Sequence, residues 1–102
     1  MIRHVVLCRF REEVGTDERA ALFDRLCALC DELPNILGAG FGPNLSEEGF
    51  SRGFDGGFTI DFVDESARDA YLEDDTHRAI GADLVASLEG GSDGLIVFDL
   101  AL

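Results

Sequence analysis

The segment YLEDDTHRA, residues 71–79, holds the only tyrosine of the chain and one of its two histidines. A histidine titrates near neutral pH and can remove a proton from a substrate. A tyrosine hydroxyl can orient that histidine or donate a hydrogen bond to an oxyanion. Tyr71 and His77 are therefore a candidate pair for proton transfer beside a carbonyl group. In the structural alternative, the Tyr71 ring fills the core and His77 is a solvated residue of a helix.

The surroundings of His77 act on its pKa in two directions. Thr76 is predicted to cap the helix that contains His77, and the positive end of a helix dipole favours a neutral imidazole. Asp74 and Asp75 precede this helix, and nearby carboxylates raise the pKa of a histidine. Both interpretations of His77, neutral base and solvated cation, stay open at this point.

The first half of the chain predicts two strands and one helix, which help to position this segment. Residues 2–10 alternate in hydrophobicity, which indicates a strand that carries His4 on its inner face. Thr16 or Asp17 is predicted to cap a helix that ends before Pro34. Residues 36–43 predict a weaker strand, in which three glycines indicate a bulge or a sheet edge.

The second half of the chain predicts two more strands and two short helices. Residues 57–63 alternate again, and Asp64 or Ser66 is predicted to cap a helix that carries Tyr71. The helix with His77 follows, and residues 95–102 form a last strand that is apolar on both faces. The order is β-α-β-β-α-α-β in one domain, residues 1–102. This is an α+β, ferredoxin-like plan, with a four-stranded antiparallel sheet and helices on one face.

The opposite face of the predicted sheet is also apolar. The first and last strands place Val5, Leu7, Ile96, Phe98 and Leu100 there. Because a sheet that is apolar on both faces needs a second cover, two sheets are expected to pack face to face in a dimeric α/β barrel. An ion pair from Arg3 or Arg9 to Asp61 on this face would fix the subunit register.

The charge of the chain excludes some classes of partner. Its 21 acidic residues outnumber eight basic residues, and the formal net charge is −13. Such a surface repels nucleic acid and anionic membranes, and no apolar segment is long enough to span a bilayer. The expected location is the cytoplasm.

Three cysteines do not predict a redox or metal site. Cys27 and Cys30 form a CxxC sequence, but they lie deep inside a helical pattern rather than at a helix N-terminus. No second cysteine pair could complete a zinc site. We interpret Cys8, Cys27 and Cys30 as buried apolar residues, and no metal site is predicted.

Four segments in order resemble the stress-responsive A/B barrel domain (Dabb) family. They are HVVLCRF at the start, GFGPNLSEE after the second strand, GFDGGFTIDF in the third strand and YLEDDTHRAI. The last segment is similar to the family's Y-x-x-H-P-x-H turn, although Asp74 and Asp75 stand where the family often has His-Pro. The resemblance covers nearly the whole chain and implies a small dimeric α+β barrel.

The resemblance also implies a function. The family includes plant polyketide cyclases, which close a linear polyketide by an aldol step without a metal or organic cofactor. It implies catalytic roles for Tyr71 and His77 and a pocket position for His4, although His4 could also be a hydrogen-bonded core residue. The expected pocket between sheet and helices would hold a small apolar or polyketide-like ligand. Its other expected lining residues are Val6, Cys8, Phe23, Phe58, Ile60, Ile80 and Leu84.

Two other functions remain as alternatives. One is a non-catalytic, dimeric stress or interaction protein with a core filled by side chains. The other is a cofactor-free monooxygenase, which would need an enclosed aromatic cavity that a chain without tryptophan is poorly equipped to form.

Overall fold

The computed structural model describes all residues, 1–102, and shows the ferredoxin-like order that the sequence predicts. The four strands form one antiparallel sheet in the order β2-β3-β1-β4, and the helices cover one face of it. The elements are β1 (Ile2–Cys8), α1 (Thr16–Glu32), β2 (Ile36–Pro43), β3 (Gly56–Phe62), α2 (Glu65–Glu73), α3 (Asp75–Ala86) and β4 (Leu95–Ala101).

Strand β1 lies between β3 and β4 and alternates buried and half-buried residues along its whole length. His4 lies on the buried face, opposite Ile60 of β3 and Asp99 of β4. The strand ends at Cys8 rather than at residue 10. Beyond it the Arg9 backbone bonds to Gly94 and Glu89, and Phe10 forms only an isolated bridge. The predicted strand was two residues too long because its partner β3 begins at Gly56, opposite Cys8.

Strand β2 confirms both expectations that its glycines raised. It lies at the edge of the sheet and pairs only with β3. Ile36 pairs with Phe62 and Gly38 with Asp61, so Leu37 is left over as a bulge.

Helix α1 packs an apolar stripe against the sheet and ends before Pro34, as predicted. Its cap is Gly15, which makes no side-chain capping bond. The prediction of Thr16 or Asp17 as the cap was therefore wrong. Thr16 already lies inside the helix, where Asp17 adds negative charge beside the positive end of the dipole.

Aspartate side chains begin the two short helices. Asp64 caps α2 and accepts a hydrogen bond from the Ala67 amide at 2.9 Å. Asp64 was one of the two residues predicted to cap this helix. Asp74 caps α3 and accepts from the His77 amide at 3.0 Å, so the prediction of Thr76 was wrong. One residue, Asp74, thus separates the helix that carries Tyr71 from the helix that carries His77.

The sheet face turned away from the helices is apolar and open. Ile96, Phe98 and Leu100 are 39%, 46% and 42% exposed. At one end of this face Arg3 binds Asp61 through two hydrogen bonds of 2.8 and 3.0 Å. The alternative partner, Arg9, instead lies over the Phe54 ring at 5.4 Å. No helix of the structure is long and apolar enough to cross a membrane.

Candidate functional site

Tyr71 and His77 meet at the junction of α2 and α3. Their ring centroids are 4.1 Å apart, with planes inclined by 45°. Tyr71 is 1% exposed, and His77 is half-buried. Asp74 caps α3 through the His77 amide, and this bond holds the first turn of α3 against the end of α2. The two side chains predicted as a pair are therefore in contact.

Two buried polar atoms of this pair have no hydrogen-bond partner. They are the Tyr71 hydroxyl and the Nδ1 atom of His77, and both are buried. Buried polar atoms in proteins are nearly always hydrogen-bonded, so an unpaired one needs an explanation. Only two other buried side-chain polar atoms of the chain lack a partner, the Nε atoms of Arg9 and Arg11. The unpaired pair at Tyr71 and His77 is suited to a ligand with its own donor and acceptor.

Burial sets the protonation of both groups. It lowers the pKa of His77, and the nearby His4 and Arg78 side chains act in the same direction. The Leu72 carbonyl and the Asp74 carboxylate oppose this shift without reversing it. Burial also raises the pKa of the Tyr71 hydroxyl. At neutral pH the site therefore holds a neutral imidazole that can accept a proton and a phenol that can donate one.

His4 lies beside this pair and is held in a fixed orientation. It is 4% exposed, and its ring contacts the Tyr71 ring edge-on at a centroid distance of 5.9 Å. Its Nδ1 atom lies 2.8 Å from the Asp99 carboxylate, which also accepts a hydrogen bond from Arg68 at 3.0 Å. His4 is thus hydrogen-bonded in the core and at the same time next to the candidate catalytic pair.

The Asp99 carboxylate determines which His4 nitrogen carries a proton. Burial raises the pKa of Asp99, but the hydrogen bonds from His4 and Arg68 outweigh burial and leave it below its ordinary value. An ionised carboxylate only accepts, so Nδ1 of His4 carries the proton and a neutral ring has Nε2 free for a substrate. Sequence reasoning missed Asp99 and Arg68. Asp99 is the only charged residue of the last strand, and that isolation was the available signal.

The other predicted pocket residues lie between the sheet and the helices, but they are packed against one another. Phe23 is half-buried and contacts Phe41 and Phe58 at centroid distances of 5.7 and 5.8 Å. The remaining six belong to one continuous core of buried residues. They are Val6, Cys8, Phe58, Ile60, Ile80 and Leu84.

The four principal cavities of the chain do not join these residues in one chamber. A cavity of about 180 Å³ between the end of α1 and the start of α2 has Tyr71 in its wall. A cavity of about 330 Å³ lies at the opposite end of the helix layer and has Phe23 in its wall. Neither is lined by His4 or His77. The structure thus brings the polar residues together and leaves the space beside them closed.

The cysteines are all free thiols. Cys8 and Cys30 are buried as expected, and burial raises their pKa to about 12 and about 11. Cys27 is exposed, so its predicted burial was wrong. Cys27 follows the buried Leu26 directly in α1. Since each residue turns the helix by about 100°, the Cys27 side chain leaves the buried face of the helix. No group of three or more metal-ligating side chains is present.

Comparisons with solved structures identify close relatives of this fold. A dimeric ferredoxin-like protein of unknown function from Jannaschia sp. CCS1 is 35% identical, with a TM-score of 0.92 over 99% of this chain and 98% of that chain. A dimeric ferredoxin-like protein of unknown function from Thermobifida fusca is 26% identical, with a TM-score of 0.79 over 99% and 90%.

A hydroxynitrile lyase from Passiflora edulis is 14% identical, with a TM-score of 0.87 over 99% of this chain and 92% of that chain, and at this identity the likeness shows the fold alone. No curated protein matches the chain. The model of one family, the stress responsive A/B barrel domain, matches residues 2–101. The chain therefore belongs to the stress-responsive A/B barrel domain (Dabb) family.

Proposed function

We propose that this protein is a homodimer that binds a small carbonyl compound beside Tyr71 and His77 and catalyses proton transfer without a cofactor. The carrying observation is that the Tyr71 hydroxyl and His77 Nδ1 are both buried and unpaired on two rings that are in contact. One is a donor with a raised pKa, and the other belongs to a ring with a lowered pKa. Removal of a proton next to a carbonyl needs this combination.

The reaction that fits best is an enolisation followed by an intramolecular aldol closure, as in the polyketide cyclases that the sequence resembles. His77 takes the proton from a carbon beside the carbonyl, and the C–H electron pair moves into an enolate. Tyr71 donates a hydrogen bond to the enolate oxygen. The enolate carbon then bonds to a second carbonyl carbon, and His77 returns its proton to the new alkoxide. No oxidant, reductant or metal enters this balance.

His4 completes the site as a third polar group. Its hydrogen bond from Nδ1 to Asp99 fixes the ring beside Tyr71 and leaves Nε2 as the nitrogen that would accept a hydrogen bond from the substrate. The proposed entrance to this site is the cavity of about 180 Å³ that has Tyr71 in its wall. Binding pockets for small molecules usually measure roughly 300 Å³ or more, so substrate entry must widen this space.

Two findings support the homodimer. The outer face of the sheet exposes large apolar residues on β4, and such a face is normally covered. Two structural relatives, 35% and 26% identical to this chain, are described as dimeric. The proposed dimer places the two sheets face to face, in the cytoplasm as the sequence predicts.

Hydrogen–deuterium exchange of simple ketones tests the catalytic proposal. Acetophenone and 2-heptanone are incubated with the protein in D₂O, and loss of the proton signal beside the carbonyl is followed by NMR. Exchange should rise in proportion to protein concentration and fall roughly 10²-fold or more in His77→Gln. Thr76→Ala is the matched control, because Thr76 is exposed and makes no capping bond. Equal exchange by wild type and His77→Gln would contradict the role of His77.

A second candidate is a non-catalytic, dimeric interaction protein. The observation in its favour is the continuous core, in which the predicted pocket residues fill the space between sheet and helices. This function requires that no small ligand enters beside Tyr71. Titration of the protein with the same ketones distinguishes the two functions. Only the catalytic function predicts that the NMR signals of the His77 ring shift when ketone is added.

A further inference from the structure

The cavity beside Tyr71 has one fixed charge in its wall. This entrance cavity measures about 180 Å³ and lies between the end of α1 and the start of α2. Apart from Tyr71, the carboxylate of Asp64 is the only ionisable side chain that lines it. The Tyr71 side chain is buried, and its hydroxyl has no hydrogen-bond partner. A ligand that occupies the entrance cavity therefore meets a negative charge as well as the tyrosine.

Asp64 uses only one of its two carboxylate oxygens within the chain. Its Oδ1 atom caps α2 by accepting a hydrogen bond from the Ala67 amide at 2.9 Å. Its side chain is exposed and forms no ion pair. Arg68 lies one turn further along α2, but its guanidinium group binds Asp69 and Asp99, each at 3.0 Å. The charge of Asp64 is thus left uncompensated at the entrance cavity.

The end of α1 adds negative potential on the other side of the cavity. This helix ends at Glu32 and has no basic residue in its last turn, so the negative end of its dipole is not offset. Asp31 and Glu32 are exposed carboxylates of the same turn. The positive end of α2 is offset by Asp64 and Glu65. The mouth of the cavity is therefore negative, in a chain whose formal net charge is already −13.

We propose that this site selects its substrate by charge and takes a ketone that carries a cationic group, which Asp64 binds at the entrance cavity while the carbonyl group reaches Tyr71. The inference rests on the proposed function and names its substrate class. A carboxylate attracts an ammonium group and repels another anion. Keto acids and phosphate-bearing thioesters are therefore disfavoured substrates. Asp64 is a specificity-determining residue in this proposal, because it contacts the charged group rather than the reacting atoms.

The rest of the cavity wall suits the carbon chain that joins the two groups. Leu33, Ala67 and Ala70 are apolar, and the first two pack against the hydrophobic core. A linear carbon chain can lie against these side chains, with a polar partner for each of its ends. Binding sites for small molecules commonly combine mostly apolar walls with a few placed polar groups.

Three ketones of similar length and different charge test the proposal. They are the cation 5-(trimethylammonio)pentan-2-one, its neutral isostere 6,6-dimethylheptan-2-one and the anion 5-oxohexanoate. Each is titrated at low ionic strength into protein with isotope-labelled histidine, and the His77 ring signals give the dissociation constants. The cation should bind about fivefold more tightly than the neutral ketone, and the anion should bind more weakly. The preference should shrink in about 0.5 M NaCl, which screens the charges.

Two variants locate the charge that is responsible. Asp64→Asn removes the charge and keeps the cap, because asparagine and aspartate cap helices about equally well. In this variant the preference for the cation over the neutral ketone should disappear. Asp24→Asn is the matched control, since it removes an exposed carboxylate of α1 from the cavity at the opposite end of the helix layer. It should keep the preference. If circular dichroism shows that Asp64→Asn is unfolded, Asp64→Ser repeats the test with another capping side chain.

The outcomes separate this proposal from the proposed function. If all three ketones move the His77 signals with equal affinity, selection by charge is rejected and the carbonyl site stands. If Asp24→Asn loses the preference as fully as Asp64→Asn does, the net charge of the chain is responsible and the role of Asp64 is rejected. If none of the three ketones moves the His77 signals, both proposals fail.

Discussion

The Tyr71 and His77 rings lie 4.1 Å apart, and the hydroxyl of one and the Nδ1 atom of the other are buried without a partner. Asp74 brings the two rings together, because it is both the residue at which α2 ends and the N-cap of α3. A pair that served only the core would be expected to satisfy these atoms. The unpaired atoms therefore indicate a site that is completed by a ligand.

Replacement of Tyr71 by phenylalanine should stabilise the protein while it impairs ligand binding. The substitution removes only a buried hydroxyl that has no hydrogen bond, and such a group costs about 1–3 kcal/mol when it is left unsatisfied. We expect the free energy of unfolding in urea to stay equal or rise by about 1 kcal/mol, with an unchanged slope. A loss of stability of that size would instead show that the hydroxyl is hydrogen-bonded in solution.

His77 should make stability depend on pH below neutrality. Burial lowers the folded-state pKa of His77 below 6.5, so the unfolded chain takes up a proton first as the pH falls. Stability should therefore fall below a pH of about 6.5 and stop falling from this cause once the folded-state pKa is passed. Urea unfolding between pH 5 and 7.5 measures the effect, and in His77→Gln the curve should be flatter. Equal slopes for both proteins would contradict the burial of the ring.

The Asp74 cap should contribute both to the stability of the protein and to the position of His77 in the site. Asp74→Ala removes the carboxylate that accepts from the His77 amide, and loss of such a cap costs about 1 kcal/mol. Asp75→Ala is the matched control, since it removes the same charge from an adjacent exposed position and should cost no more than about 0.5 kcal/mol. Thermal unfolding of both variants at one pH checks the difference. Equal costs would indicate a charge effect rather than a cap.

Asp99→Asn should release the His4 ring from its fixed tautomer. Asp99 accepts from both His4 and Arg68, and a hydrogen bond to a charged group contributes about 1.5–3 kcal/mol. We expect a loss of stability of about that size and mixed tautomers of His4 in ¹⁵N NMR spectra. If Asp99→Asn kept full activity while its His4 ring showed mixed tautomers, a positioning role for Asp99 would be contradicted.

The sequence was sufficient for the architecture because hydrophobic periodicity reports which face of each element is buried. The alternation in β1 and β3 and the glycines of β2 predicted the sheet, its edge and its bulge. The helix caps were harder to predict. In the segment Asp74–Asp75–Thr76 three adjacent side chains can cap a helix, and the choice depends on which backbone is extended, as it is at Asp74.

The candidate site could be predicted only in part. Tyr71, His77 and His4 do come together, but their hydrogen bonds depend on side chains far away in the sequence, such as Asp99 beside His4. Whether the space between sheet and helices is open depends on the packing of side chains from five helices and strands, which periodicity does not report. The closed core was for that reason beyond sequence reasoning.

The most direct test of the central claim is NMR of the protein with isotope-labelled histidine during titration with heptane-2,4-dione, a small diketone. We expect the His77 ring signals to move and to reach saturation at neutral pH, and we expect Tyr71→Phe to weaken this binding while Thr76→Ala does not. If the diketone leaves His77 unchanged up to the limit of its solubility, or moves it equally in Tyr71→Phe, then the pair does not form a carbonyl-binding site.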